Sequence, residues 1–244
     1  MSKHTISMMQ PYLFPYLGYF QLIHAADVFV LGDDLQYTKE SWINRNRILS
    51  DGRPRLITFP LKKDHFNTRI NERIFSPDFV EEKKRLLRII FNAYARAPQK
   101  KPVMALLEKI FDSSEMNLAK FAEISIKSIC EYLGIRTPLV TASGLGLKKE
   151  MDRQDRVIAT ARLFNSAVCI NPIGGIELYD VSYFCDHQVT LKFHRMDDIV
   201  YSQGKNQFVP SLSVIDVMMF NEIDDIRDML VQFSLLNMPT KMVA

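Results

Sequence analysis

Thr5-Ile-Ser-Met-Met-Gln-Pro-Tyr-Leu-Phe-Pro-Tyr-Leu-Gly-Tyr-Phe-Gln-Leu-Ile-His-Ala-Ala-Asp-Val-Phe-Val-Leu-Gly-Asp-Asp34 reads as strand, loop, helix and strand in succession. Residues 5–9 form a short β-type run. Pro11 and Pro15 hold the residues before them extended, which gives a loop through Phe14. Pro15 also suits a first helical turn, so a helix is expected from there to Ala26. Residues 27–31 are almost wholly apolar, as in a strand covered on both faces. The end of that strand delivers Asp33 and Asp34.

Working outward, residues 42–49 and 55–60 flank Asp51-Gly52, a strong hairpin signal. Ser76-Pro77 suggests a helix start, with Ser76 as cap. Leu86, Leu87, Ile90 and Phe91 follow at helical spacing. Further helices are expected over 103–111 and over 117–133, the latter closed by Gly134. Short strands are expected at 139–141, 167–170 and 191–193. A helix covers 152–164, and 216–236 reads as mostly helical. Alternating strands and helices imply an α/β fold, Rossmann-like, with a mostly parallel sheet and an added β-hairpin. The helices between about 76 and 134 are too many for one crossover and read as a helical insertion within a single domain over 1–244. In open α/β sheets ligands sit beyond the carboxyl ends of the strands. That rule selects the loops after Met9, Leu31, Thr141 and Ile170.

The chain has 244 residues, about half of them apolar, with a formal net charge of only +3. That balance gives no nucleic-acid signal. No apolar run approaches a membrane span, and the first residues lack the apolar stretch of a signal peptide. Three cysteines without metal-ligand spacing argue against a disulfide framework and for a reducing, cytoplasmic setting. No metal signature and no nucleophile–His–acid arrangement is visible.

Within this frame, aromatics, amides, carboxylates and arginines crowd into fewer than forty residues. Gln10 and Tyr12 fall in a strand-to-helix turn, where backbone N–H groups favour an anion. Tyr16, Gly18 and Tyr19 follow, and Gly18 permits close approach of a ligand; Phe14 and Phe20 serve as well in a core. Asp33 and Asp34 can orient a hydroxyl or amine, act as base, or cap a turn. Neighbours on an extended chain point to opposite sides, so one of the two faces a pocket. Gln36, Tyr37 and Lys39 extend the polar cluster. In a strand, Trp42, Asn44 and Asn46 share one face, while Arg45 and Arg47 share the other and can grip a diphosphate or carboxylate. Their alternative is a basic edge that prevents aggregation. In Asn171-Pro-Ile-Gly-Gly-Ile-Glu-Leu-Tyr179, Gly174 and Gly175 permit positive φ and backbone approach. Asn171, Glu177 and Tyr179 then offer polar contacts. Tyr201, Gln203, Ser213 and Asp216 form a last cluster; Asp216 also suits a helix N-terminus, with Ser211 or Ser213 as its cap.

These blocks, with Tyr201-Ser-Gln203 running into Phe208-Val-Pro-Ser-Leu-Ser-Val-Ile-Asp216, resemble the WbqC-like family from about residue 5 to about residue 222. The resemblance implies an aminoacyl (glycine) or acyl transferase that modifies an amino sugar in O-antigen or surface polysaccharide synthesis. Asp33, Asp34 or Glu177 would be its base. A nucleotide-linked amino sugar would be its acceptor. Its donor would be an acyl-CoA, an acyl-nucleotide or a thioester on an acyl or peptidyl carrier protein. Tyr16-Leu-Gly-Tyr19 sits where related nucleotidyltransferases carry His-x-Gly-His, which gives a second reading as an adenylate-forming enzyme. A noncatalytic scaffold of glycan assembly is the third.

Overall fold

A computed structural model describes residues 4–148, 150–205 and 207–237. The strands are β1 (Thr5–Met9), β2 (Val28–Leu31), β3 (Arg45–Ser50), β4 (Arg53–Thr58), β5 (Leu139–Thr141), β6 (Val168–Pro172), β7 (Thr190–Met196) and β8 (Phe233–Asn237). The helices are α1 (Leu17–Ala25), α2 (Phe79–Ala93), α3 (Lys100–Phe111), α4 (Leu118–Leu133), α5 (Arg153–Leu163), α6 (Val181–Asp186), α7 (Val214–Phe220) and α8 (Ile223–Leu230).

Six strands form one sheet in the order β5-β2-β1-β6-β7-β8, parallel except for the antiparallel β7–β8 pair. Chain order reverses between β1 and β6, so this sheet has a topological switch point there. Alternation divides the strand residues between two apolar layers. Phe29, Leu31 and Ile170 pack with α1, α8 and the helices α2 to α4. Ile6, Val28, Val30 and Cys169 pack on the other face with Val157, Ile158 and Ala161 of α5 and Phe184 of α6. The hairpin β3–β4 is a separate two-stranded sheet. Asp51 and Gly52 both take positive φ, at 51° and 72°, as a tight two-residue turn requires.

The fold class expected from the sequence is the one observed, with local corrections. Helix α1 begins at Leu17, after Pro15 and the N-cap Tyr16. Asp78 rather than Ser76 is the N-cap of α2, so Pro77 lies before the helix. Pro102 sits in the first turn of α3, where its missing N–H costs nothing. The stretch 216–236 is mostly helical, as expected, but it is split into α7 and α8 and ends in β8, an edge strand on β7. Pairing with β7 overrides the helix propensity of its two leucines.

Candidate functional site

The rule of strand carboxyl ends holds in the geometry. A cleft of about 820 Å³ opens at the switch point, between the residues that end β1 and β6. Met9, Gln10 and Tyr12 form one wall, and Asn171, Pro172, Gly174 and Gly175 another. Asp34, Gln36 and Thr38, after β2, form a third. Met151, Arg153 and Arg156 close it from the start of α5, and Asn67 and Arg69 from the segment before α2.

The two adjacent carboxylates have separate tasks. Asp33 is 5% exposed and its oxygens are occupied. Oδ1 accepts the backbone N–H of Ser143 at 2.9 Å; Oδ2 accepts the Ser143 hydroxyl at 2.6 Å and the Asn71 amide at 3.2 Å. It therefore ties the end of β2 to the turn after β5, and is not available as a base. Asp34 points the other way, into the cleft, and makes an ion pair with Arg156. Both partners are about nine-tenths buried at the side chain, at 11% and 7% exposed.

Two buried atoms of cleft residues have no hydrogen-bond partner, Asp34 Oδ1 and Arg156 Nε. An acceptor and a donor without partners are expensive in a protein interior. Asn171 is 2% exposed, lies at the end of β6 and lines the same cleft, with its amide directed at the Tyr179 hydroxyl. Tyr12 and Tyr179 add hydroxyls that stay protonated. Burial raises both from their ordinary value, reinforced at Tyr12 by Tyr16 and opposed at Tyr179 by the Arg153 charge and the Asn171 amide.

The family model of the WbqC-like proteins matches residues 10–228. The chain belongs to this family. A relative from Mycobacterium tuberculosis (strain ATCC 25618 / H37Rv), the uncharacterized protein Rv1507c, is 32% identical over 140 residues. That match covers 56% of this chain and 59% of the relative. No solved structure matches the chain at a significant level.

Several residues of the WbqC-like motifs lie elsewhere than the sequence suggested. Tyr19 is fully buried and donates its hydroxyl to the Gln10 carbonyl at 2.9 Å, so it shapes the first wall without reaching a ligand. Gly18 makes room for the Tyr16 ring: a Cβ there would lie 2.4 Å from it. Neither residue offers the nucleotide site that Tyr16-Leu-Gly-Tyr19 suggested. Gly174 and Gly175 line the cleft but are not among the positive-φ glycines; they sit in a 3₁₀ turn over Ile173–Leu178. Open space above Gly174 leaves the backbone approachable. Glu177 in that turn is exposed and does not line the cleft.

Trp42 and Asn44 precede β3, so the strand-face argument does not apply to them. Asn44 donates to the Phe59 carbonyl at 2.8 Å and accepts the Tyr37 hydroxyl at 2.8 Å. Asn46 donates to the Leu13 and Phe14 carbonyls at 3.3 and 2.6 Å. Asn46 thereby fastens the hairpin to the loop before α1, and Asn44, which joins the two ends of the hairpin to Tyr37, also lines a second cleft. Trp42 is 42% exposed, with the Arg45 and Arg47 guanidinium groups 5.8 and 5.2 Å from its ring. Tyr37, Lys39 and Arg45 line that second cleft too. Tyr201 and Gln203 surround Asp216: its carboxylate accepts Tyr94 at 2.8 Å, Tyr201 at 2.7 Å and Gln203 at 2.8 Å. This buried network ties α7 to α2. Burial raises the Asp216 carboxyl, and the three donors oppose that rise.

The sequence reading missed Arg69, Arg153 and Arg156. The signal for two of them is Asp152-Arg-Gln-Asp-Arg156. There an N-cap acid precedes arginines three residues apart, which share one helix face. Among the described residues no group of three or more His, Cys, Asp or Glu side chains is placed to hold a metal ion. Cys130 and Cys169 are buried, and burial pushes both thiols up to about 12, so neither is a ready nucleophile. No helix among the described residues is long and apolar enough to cross a membrane.

Proposed function

We propose that the switch-point cleft binds a phosphorylated, hydroxyl-rich small molecule, with a nucleotide-linked amino sugar as the fitting class. We further propose that the chain transfers an acyl or aminoacyl group to its amine. The observation that carries the reading is that Asp34, Arg156 and Asn171, all buried or nearly so, line one cleft, with Asp34 Oδ1 and Arg156 Nε unpartnered. A carboxylate acceptor with guanidinium and amide donors suits a ligand group that both donates and accepts, such as a sugar hydroxyl or amine. Arg69 and Arg153 supply cationic charge for a phosphate.

In the transfer the amine nitrogen forms a bond to the donor's carbonyl carbon. Its proton passes to Asp34, and the bond from that carbon to the thiolate or nucleotide oxygen breaks. Asp34 is the carboxylate that faces the cleft, which supports it over Asp33 and Glu177. Backbone N–H groups around Gly174 are the available donors for the oxyanion.

The Asp34–Arg156 ion pair favours one further reading, binding without turnover, because a carboxylate clamped by a guanidinium has to share it while taking a proton. Calorimetry of nucleotide-linked amino sugars against wild type, Asn171→Ala and Arg153→Ala tests the binding. Micromolar binding that weakens tenfold or more in both variants is the expected result; no binding by any member, or unchanged binding in Asn171→Ala, overturns it. Mass spectrometry of the sugar after incubation with acyl and aminoacyl thioesters then separates the two readings. A mass gain that disappears in Asp34→Asn establishes transfer, and an unmodified sugar that is nonetheless bound establishes binding alone.

A further inference from the structure

A second cleft, of about 860 Å³, adjoins the first, and Gln36 and Thr38 line both. Gln36 is a fixed partition: its amide donates to the Phe66 carbonyl at 3.2 Å and to Asn67 Oδ1 at 3.3 Å. The second cleft is lined by five cationic side chains, Lys39, Arg45, Lys62, Lys63 and Arg73, against the two carboxylates Glu40 and Asp64. That surplus of positive charge is as large as the formal net charge of the entire chain, +3. These cations converge on one concavity, which focuses the field on an anion.

Two of the arginines are built in. Arg73 is 7% exposed, with its guanidinium 4.8 Å from the Tyr37 ring and one Nη donating to the Lys62 carbonyl at 3.1 Å. Arg45 donates to the Glu40 carbonyl. The Nε atoms of both arginines are buried and unpartnered. Their charges reach a common point: burial raises the Tyr37 hydroxyl, and the positive charges of Arg73 and Arg45 oppose the rise. At the mouth stands Phe66, 73% exposed, its ring 4.5 Å from that of His65. An exposed flat ring beside a basic concavity suits a planar base joined to phosphates.

We propose that this second cleft is a binding site for a nucleotide-type polyphosphate, with its phosphates on Lys62, Lys63 and the two arginines and its base against Phe66. Resting on the transferase reading, the occupant is the phosphate-bearing handle of the acyl donor, and the acyl group reaches the first cleft across Gln36 and Thr38. The binding claim itself requires no turnover.

Calorimetry at low ionic strength with coenzyme A, ATP and inorganic pyrophosphate provides the test, using wild type, Lys62→Ala/Lys63→Ala and Phe66→Ala. These three side chains are exposed, so the variants keep the fold, which the melting temperature checks. The expected result is that the double variant weakens all three ligands tenfold or more. Phe66→Ala weakens coenzyme A and ATP several-fold and leaves pyrophosphate unchanged. Affinity falls as salt is added. Nucleotide-sugar binding in the first cleft stays at the wild-type value in both variants. Binding of none of the three ligands overturns the proposal, as does equal affinity in the double variant or loss only in Asn171→Ala. Equal weakening of pyrophosphate and nucleotides in Phe66→Ala overturns the role of its ring. If Asn171→Ala leaves nucleotide-sugar binding unchanged while coenzyme A binding depends on Lys62 and Lys63, the transferase reading fails and the second site stands.

Discussion

Asp33 and Asp34 are neighbours with opposite fates, and the difference lies in what each oxygen meets. Asp33 accepts three hydrogen bonds in a buried place, two of them from Ser143, 110 residues on. Replacing it by alanine strands those donors, so Asp33→Ala is expected to lower stability by about 2–4 kcal/mol in chemical denaturation. Asp34→Asn leaves the buried Arg156 charge unpaired, so it should lower stability as well as ligand binding. The pair was legible in the sequence, and so was the rule that one of them faces inward. Which one does was not legible, because Ser143 and Arg156 are brought there only by β5 and α5. Gln21 and His194 illustrate the same limit. The Gln21 amide donates to the Met229 and Gln232 carbonyls at 2.7 and 3.0 Å, so its Oε1 is left to accept the His194 Nε2–H at 2.9 Å. Burial lowers the His194 pKa from 6.5 to about 4. The folded state therefore prefers the neutral ring, while the unfolded chain takes up a proton below pH 6.5. Stability from this group is complete above pH 6.5 and falls as the pH drops towards 4, by about 2–3 kcal/mol in all. Denaturation at a series of pH values should show that slope, and His194→Gln should flatten it.

Local chemistry stopped most of the helices and strands where the sequence said it would. Asn117 caps α4 through Lys120 N–H at 3.1 Å, and Gly134 ends it at φ 76°. A Cβ at 134 would also lie 2.9 Å from Arg227 Nη2, whose Nε holds the Leu133 carbonyl. Gly134→Ala is accordingly expected to cost about 1–2 kcal/mol, measured by urea denaturation. A cap is a matter of a few adjacent residues, which is why 117–134 was readable. Strand β8 was not, because Phe233-Ser-Leu-Leu-Asn237 has no strong alternation and follows a helix directly. Its identity comes from the partner: Lys192 to Met196 of β7 fix its register. The bonds of the hairpin asparagines were equally out of reach: Asn44 donates to the Phe59 carbonyl across the hairpin, and Asn46 to the Leu13 and Phe14 carbonyls of a distant loop.

At the scale of the full chain, the cleft gathers segments that are far apart in sequence: 9–12, 34–38, 67–69, 151–156 and 171–179. A ligand there links three strand ends to α5 and so stabilises the folded state as a unit. At a hundredfold excess over Kd the gain is about 2.7 kcal/mol. Hydrogen exchange should slow in those segments together, and a slowing confined to one of them would count against the site. The same architecture has a bearing on biosynthesis. Strand β1 is made before the other strands of its sheet but is an interior strand, flanked by β2 and β6. Its second neighbour is not made until residues 168–172. For most of translation, then, one edge of β1 lacks its partner, and the sheet cannot close by growing outward from a finished hairpin. Nascent chains that end before residue 168 should be protease-sensitive and dependent on chaperones. Protection should rise abruptly when the strand carrying Asn171 docks on β1 and brings in that wall of the cleft.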